Sequence, residues 1–266
     1  IQEKQAKLLY LLVFKNWQSN CFYSLYPHTK LVIETLEDLA MPAFNHVTRL
    51  GTATALLILL GSYVFGASAD AAEGGISRIN QAVTVDAEQQ VGDVSSVNGS
   101  IRLARGAEAG EVTTVNGTIE LDDGVTVSEA GTVNGGIRLG SDVKVNGELS
   151  TVNGGIRINA GSVVAHNVET VNGRVHLESA VIRQNIVTSN GDIDIVDGAI
   201  VEGDIIVESR RRWWDHLFDW NNRSPRITVD AESSVQGDIH IYREVKLEIE
   251  DGAMVGDIVE HFETRK

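Results

Sequence analysis

The chain has 266 residues, of which 22 are Lys or Arg and 37 are Asp or Glu, so its formal net charge is −15. A nucleic-acid-binding protein needs a net basic face, and this balance argues against that class. Cys21 is the single cysteine, which excludes an internal disulfide framework.

Residues 1–40 differ in composition from the rest of the chain. They contain the only cysteine and a cluster of aromatic side chains, and they show no repeat. The first methionine in the sequence is Met41. We therefore expect translation to start at Met41 and residues 1–40 to be an upstream extension outside the fold.

Residues 41–69 have the pattern of a secretory signal peptide. A short polar start with Arg49 is followed by an uncharged apolar run, and Ala67 and Ala69 then form an A-x-A cleavage pattern. The most apolar part of this run is shorter than a membrane-spanning helix. We expect a signal helix that is removed near Asp70, and a protein located in the periplasm or outside the cell. An uncleaved anchor is the alternative.

After a linker over residues 70–75, the sequence repeats with a period of 18 or 19 residues from Ile76 onward. Seven successive periods contain an Asn that is in most cases followed by Gly and preceded two positions earlier by Ser or Thr, with Ile or Val three positions after it. The Asn residues are Asn80, Asn98, Asn116, Asn134, Asn153, Asn172 and Asn190. A second set of turn residues is Gly106, Gly124, Gly161 and Gly198. A regular period of this length is typical of repeat architectures.

Apolar and polar residues alternate between these turns, as in Ile137-Arg138-Leu139, and β-branched residues dominate. Asn-Gly between alternating runs also fits antiparallel hairpins in a sandwich or barrel. In a parallel β-solenoid, however, each period is one coil and like residues stack on like, which keeps every column uniform. The uniform columns predict an all-β fold: a parallel β-solenoid (β-helix) of about nine coils over residues 76–266.

The Asn column is interpreted as structural. Asn tolerates left-handed or bridge backbone conformations, Gly beside it relieves the turn, and stacked Asn side chains can hydrogen-bond along the column. An Asn-lined ligand surface is the alternative. A second hypothesis is that the Thr column, with Thr114 and Thr132, faces outward as a hydroxyl ladder of the kind that binds ice or flat carbohydrate lattices.

The repeat is interrupted by the insertion RRRWWDHLFDWNNRSP at residues 210–225. It is net basic within an acidic chain and contains three of the four tryptophans. Its apolar residues have the spacing of one or two helical turns. Arg and Trp side chains together favour contact with a partner, a glycan or a membrane interface, whereas a loop that merely covers the solenoid flank is the alternative. The candidate binding residues are Arg210, Arg211, Arg212, Trp213, Trp214, Phe218 and Trp220.

No catalytic motif is recognisable in the repeats. The densest acidic segment is NGDIDIVDG, with Asp192, Asp194 and Asp197. With Arg174 or His176 of the neighbouring coil it would form a polysaccharide-cleaving site, and its carboxylates alone would form a weak calcium site. Charged residues on an outward strand are more often solvated surface. We therefore expect no enzyme activity, no cofactor and no bound metal.

Two resemblances follow from the repeat motifs. The columns G-[DEN]-V-x-T-V-N-G-x-I-x-L are similar to an adhesin-like repeat family of exported bacterial β-solenoid proteins of unknown function. The later segments GAIVEGDI, ESSVQGDI and GAMVGDI resemble the repeats of the polymer-forming bactofilin cytoskeletal family. The resemblance implies a β-solenoid fold without catalytic residues and, for bactofilins, assembly through the solenoid ends. The export signal and the Arg/Trp insertion depart from the bactofilin pattern.

These observations predict an exported, non-catalytic structural scaffold or adhesin-like module of the cell envelope. The alternatives are a subunit of a polymer-forming cytoskeletal filament and a polysaccharide-active β-helix enzyme. The expected partners are an envelope component, a glycan or another copy bound through the solenoid ends. Nucleic acid is excluded, and membrane contact is expected only through the signal segment or the Arg/Trp insertion.

Overall fold

The computed structural model describes residues 74–208 and 224–262, and within these ranges the chain forms strands and turns but no helix. Neighbouring strands pair in parallel, with in-register partners such as Ile101 and Ile119. One of the resulting sheets has nine strands, one from each coil. The parallel β-solenoid of about nine coils is therefore confirmed, and the antiparallel sandwich or barrel is excluded. The predicted signal helix lies outside the described residues.

The strands are short, and most contain two to five residues. In chain order they are β1 (Ile76–Arg78), β2 (Val83–Val85), β3 (Val94–Ser96), β4 (Ile101–Leu103), β5 (Glu108–Asn116), β6 (Ile119–Leu121), β7 (Thr126–Asn134), β8 (Ile137–Leu139), β9 (Lys144–Val145), β10 (Leu149–Asn153), β11 (Ile156–Ile158), β12 (Val163–Val164), β13 (Val168–Asn172), β14 (Val175–Glu178), β15 (Val181–Ile182), β16 (Ile186–Thr188), β17 (Ile193–Val196), β18 (Ile200–Val201), β19 (Ile205–Val207), β20 (Arg226–Val229), β21 (Ser234–Val235), β22 (Ile239–Ile241), β23 (Lys246–Ile249), β24 (Met254–Val255) and β25 (Ile258–Glu260).

The strands line up on three faces of the solenoid. Face A contains β1, β3, β10, β13, β16, β19, β22, β25 and the second halves of β5 and β7. Face B contains β2, β4, β6, β8, β11, β14, β17, β20 and β23. Face C contains β9, β12, β15, β18, β21, β24 and the first halves of β5 and β7. The Asn column lies at the corner where face A turns into face B, which we call the AB corner.

Apolar columns from all three faces fill the interior. On face B, Ile101 and Leu103 point inward and stack on Ile119 and Leu121 of the next coil, and all four are buried. The residue between each such pair faces solvent, because side chains alternate along a strand. Close packing leaves no spare room between identical side chains on successive coils. A change in the size of an interior side chain in one coil therefore disturbs the packing of the coils on both sides.

The Thr column faces inward, so the hypothesis of an outward hydroxyl ladder is wrong. Thr114 and Thr132 are 1% and 0% exposed. The Thr114 Oγ1 donates to the carbonyl of Gly99 at 2.9 Å, and the Thr132 Oγ1 donates to that of Gly117 at 3.2 Å. A buried hydroxyl is tolerated when it is hydrogen-bonded, and here the carbonyl of the preceding coil supplies the acceptor.

The Gly that follows each Asn of the column from Asn98 to Asn190 is required by the close approach of successive coils. Among the seven Asn residues only Asn80 has a positive φ, 56°. The left-handed conformation that Asn tolerates is therefore used at Asn80 and not at the other six. A Cβ on Gly135 would instead overlap the carbonyl oxygen of Gly117, and a Cβ on Gly154 would overlap that of Gly135. Only glycine lets the backbones stack this closely.

Left-handed residues occur at a different corner, where face B turns into face C. The glycines of the second turn set are left-handed there, for example Gly124 and Gly161 with φ of 69° and 73°. Asp142 occupies the same position in the coil between them and has a φ of 57°. An L-residue with a Cβ is strained in this conformation by about 1–2 kcal/mol.

Replacing Asp142 by Gly should therefore stabilise the protein relative to replacing it by Ala. Both substitutions remove the carboxylate, but only Gly relieves the left-handed backbone. We expect the free energy of unfolding of Asp142→Gly to exceed that of Asp142→Ala by about 1 kcal/mol in urea denaturation. Equal stability of the two variants would show that this corner is not left-handed.

Candidate functional site

The Asn side chains form a hydrogen-bonded ladder along the AB corner. The Nδ2 of each Asn donates to the Oδ1 of the Asn one coil earlier, from 2.6 Å between Asn98 and Asn80 to 3.3 Å between Asn190 and Asn172. The intermediate bonds lie between these values. Each amide thus uses a donor and an acceptor within the ladder, which supports the structural interpretation over that of a ligand surface.

The interruption of the repeat lies at the same corner. The described chain stops at Glu208, after β19 on face A, and resumes at Ser224, before β20 on face B. Across this point the coil-to-coil offset is 34 residues instead of the usual 18 or 19, as between Asp204 and Asp238. The in-register stacking of faces A and B continues on the far side, so the register of the solenoid is the same before and after the interruption.

The residues proposed to bind a partner lie outside the described part of the chain, as do the signal-cleavage positions. The first group consists of Arg210, Arg211, Arg212, Trp213, Trp214, Phe218 and Trp220, and the second of Ala67 and Ala69. Their roles stay predictions.

Arg243 continues the Asn ladder beyond the interruption. Its Nη1 donates to the carbonyl of Ser189 at 3.0 Å and to the Oδ1 of Asn190 at 3.2 Å. Arg243 comes two residues after β22, at the position that Asn occupies in earlier coils. Extending the column alignment past the insertion would have identified this residue. A longer side chain is needed there because the intervening coil supplies no Asn at this position.

The acidic segment after Asn190 is brought together with the two basic residues named for it. Arg174 lies 3.5 Å from Asp192 (Nη2 to Oδ2) and 3.3 Å from Asp194 (Nε to Oδ2). His176 Nδ1 lies 3.8 Å from the same Asp194 oxygen. Asp192 also accepts a hydrogen bond from the backbone N–H of Arg226 at 3.0 Å. Glycoside cleavage needs two carboxyls that flank a scissile bond, whereas both of these turn toward one guanidinium, which favours a charge cluster.

A second polar column, which the sequence interpretation passed over, lies at the corner where face C turns into face A, the CA corner. Short acidic and amide side chains there accept the backbone N–H of the same position one coil later. The Oδ1 of Asn185 accepts from Asp204 N–H at 2.8 Å, and the Oδ1 of Asp204 accepts from Asp238 N–H at 2.9 Å. Asx side chains have the right length for this bond.

Three glutamates replace the Asx residues in the middle of this column. Glu111 and Glu129 are in-register neighbours on β5 and β7, and Glu148 precedes Leu149, which pairs with the residue after Glu129. Burial, together with repulsion from Glu169 and Glu129, raises the pKa of Glu148 to about 8. Within the described part of the chain, the Glu148 Oε1 is buried and has no hydrogen-bond partner. The signal in the sequence was the 18- and 19-residue spacing of the three acids.

Glu169 extends this glutamate cluster onto face A. Burial raises its pKa to about 7, although a hydrogen bond from Asn167 at 3.4 Å opposes the shift and Glu208 adds repulsion. Burial also raises the pKa of Glu111, with repulsion from Glu129 and Asp93. An open groove of about 380 Å³ runs along the corner, lined by carboxylates and by Asn146 and His166. The cluster is therefore a place where protonation and folding are coupled.

Two further properties concern only the described residues. Within residues 74–208 and 224–262, no group of three or more His, Cys, Asp or Glu side chains is arranged to hold a metal ion. In the same ranges no helix has the length and apolar character needed to cross a membrane.

Comparison with known proteins gave no match to a family model, to a curated protein or to a solved structure. The β-solenoid fold is shown by the parallel, in-register pairing of the strands. The resemblance to adhesin-like or bactofilin repeats is supported at the level of that fold only.

Proposed function

We propose that this protein is an exported, non-catalytic β-solenoid that serves as a structural scaffold or adhesin-like module of the cell envelope. The observation that carries the proposal is how the polar residues of the repeat are used. The Asn ladder, the Thr–glycine bonds and the Asx column all join one coil to the next. Side chains that hold coils together build a regular surface, and such a surface is what a scaffold or adhesin presents.

Export follows from the sequence of residues 41–69 and is tested directly. Cells that produce the full chain are fractionated, and the N-terminus of the purified protein is sequenced. We expect a mature start near Asp70 and recovery in the envelope or the medium. A variant with Leu57→Arg and Leu59→Arg should stay in the cytoplasm with its leader attached, because charges break the apolar run. A native chain that starts near Ile1 and stays in the cytoplasm would contradict the proposal.

The Arg/Trp insertion is proposed to make the contact with the envelope. We expect the double substitution Trp213→Ala and Trp214→Ala to leave the melting temperature within about 2 °C and to reduce co-sedimentation of the purified protein with washed envelope fragments by about tenfold. Circular dichroism and a sedimentation assay measure the two effects. A large fall in the melting temperature would show instead that the tryptophans pack on the solenoid.

A filament subunit is the second candidate, and the last coil favours it. Met254 on β24 and Ile258 on β25 are 70% and 45% exposed. Within the described residues, β24 and β25 pair on one side only, with β21 and β22. Exposed strand edges with apolar side chains tend to pair with other chains. Electron microscopy of the mature protein tests this: ordered end-to-end filaments support the candidate, and single particles at high concentration contradict it.

A further inference from the structure

Face B carries a cluster of basic side chains in the middle of the solenoid. The outward residues Arg138, Arg157 and His176 are in-register neighbours on three successive strands, β8, β11 and β14. Neighbouring strands in a sheet lie about 4.8 Å apart. Like charges directly opposite each other on a sheet are destabilising, so this arrangement has a cost that stacking of the coils does not explain.

The two outer members of the cluster have acidic partners on their far sides, but the central one does not. Arg138 pairs with Glu120 at 3.2 Å, and His176 lies 3.8 Å from Asp194. Within the described residues no carboxylate lies at ion-pair distance from Arg157, whose side chain is exposed. In an acidic protein, an Arg without a carboxylate partner is available for an external anion.

The backbone beside this cluster is bare. Gly136 and Gly155 immediately precede Ile137 and Ile156, at the position that Arg174 occupies one coil later. Their carbonyls are already used between coils: the Gly136 carbonyl accepts from Ile119 N–H at 3.0 Å, and the Gly155 carbonyl accepts from Ile137 N–H at 3.0 Å. The surface next to Arg138 and Arg157 is therefore flat backbone without side chains, on which a planar or chair-shaped ring can lie while the guanidinium binds an anionic substituent.

We propose that this surface binds an acidic saccharide, a short glycan whose ring lies over Gly136 and Gly155 and whose carboxylate or sulfate is held by Arg157. The cluster spans two or three coils, because the carboxylates of Glu120 and Asp194 lie at its two ends, and this length suits a short glycan. The net charge of −15 also repels long polyanions. An anionic membrane would require a broader basic surface than this one. This inference names a class of ligand for the adhesin-like role proposed above. It depends on that role in one respect only, namely that the protein encounters glycans outside the cytoplasm.

The test is titration of the purified full chain by isothermal calorimetry with trigalacturonic acid and, separately, with a sulfated disaccharide. We expect at least one of them to bind and Arg157→Gln to weaken that binding about tenfold, since a charge-assisted bidentate bond is lost. The fully methyl-esterified trisaccharide should not bind. Arg102→Gln is the matched control, because Arg102 has the same strand position in another coil but already pairs with Asp122 at 3.0 Å. It should leave the affinity unchanged.

Several outcomes would overturn the proposal. They are no binding of either saccharide at millimolar concentration, equal binding of the neutral ester, or equal loss in the two arginine variants. Sedimentation with phosphatidylglycerol vesicles that depends on Arg157 would also overturn it, in favour of a membrane surface. Because Arg157 is exposed, its replacement should not lower the melting temperature. Cell fractionation is independent of this titration, so a failure of export would leave a positive binding result standing.

Discussion

Replacing Gly135 by Ala is expected to cost about 3 kcal/mol or more of unfolding free energy, among the largest effects of any single methyl group in the chain. The added Cβ would overlap the carbonyl oxygen of Gly117 on the preceding coil. Neither group can rotate away, because both belong to backbone. The two coils must move apart, which strains the ladder between Asn134 and Asn116 and the bond from Thr132 to Gly117. Urea denaturation followed by circular dichroism measures the loss.

The neighbouring glycine provides the control. A Cβ on Gly136 would lie 3.0 Å from the carbonyl oxygen of Gly155, a contact that a shift of a few tenths of an ångström relieves. Gly136→Ala should therefore cost about 1 kcal/mol or less. Equal stability of Gly135→Ala and Gly136→Ala would contradict this prediction, because it would mean that the coils are spaced more widely than the hydrogen bond between Asn134 and Asn116 allows.

The second large effect is a loss of stability as the pH rises. The pKa values of Glu148 and Glu169 are raised from 4.5 to about 8 and about 7 in the folded protein. Below the pKa that these carboxyls have in the unfolded chain, they are protonated in both the folded and the unfolded state, so the free energy of unfolding does not change with pH. Above it the unfolded chain releases its protons first, so stability falls as the pH rises toward 8. We expect a loss of about 3 kcal/mol from about pH 5 to pH 8, less than the full shifts imply because Glu148 is partly screened by solvent.

Denaturation at several pH values, on matched variants, assigns this effect to the glutamate cluster. Glu148→Gln together with Glu169→Gln should flatten the dependence and raise stability at pH 8, because neutral amides need no proton in the folded state. Glu202→Gln together with Glu232→Gln removes two exposed carboxylates and serves as the control for the change in net charge. An unchanged slope in the variant with Glu148→Gln and Glu169→Gln would show that the pH dependence arises elsewhere.

The parallel stacking of the coils was predictable from the sequence, because parallel in-register stacking places the same position of successive repeats in contact and so keeps the residue type at that position uniform. Ile137 stacks on Ile156, and Arg138 lies beside Arg157. The alternation of inward and outward residues on face B was equally readable, since each strand has an apolar–polar–apolar core such as Ile137-Arg138-Leu139. The insertion was recognisable because the register resumes afterwards with the same spacing.

Three features were not predictable in the same way. The Thr residues occupy inward positions of face A although their side chains are polar. Their burial is tolerated because each hydroxyl donates to a glycine carbonyl of the preceding coil, such as that of Gly99 or Gly117. The glycine after most of the Asn residues was expected to relieve the turn, whereas the structure requires it for the close approach of a carbonyl on the preceding coil, which no local turn pattern reveals. The raised pKa of Glu148 depends on its burial at the CA corner, and burial at a corner cannot be inferred from strand alternation.

The near-identity of adjacent coils also bears on how such a chain changes its length. The segment TVNGGIR occurs at residues 132–138 and again at residues 151–157. Deleting residues 135–153 would join Asn134 directly to Gly154 and restore the same local sequence with one coil fewer. Unequal recombination between the two copies would thus add or remove a complete coil and keep every column in register. A change of another length inside a strand would shift the strand and turn core side chains toward solvent, so outside the corners the protein is expected to grow and shrink in whole coils.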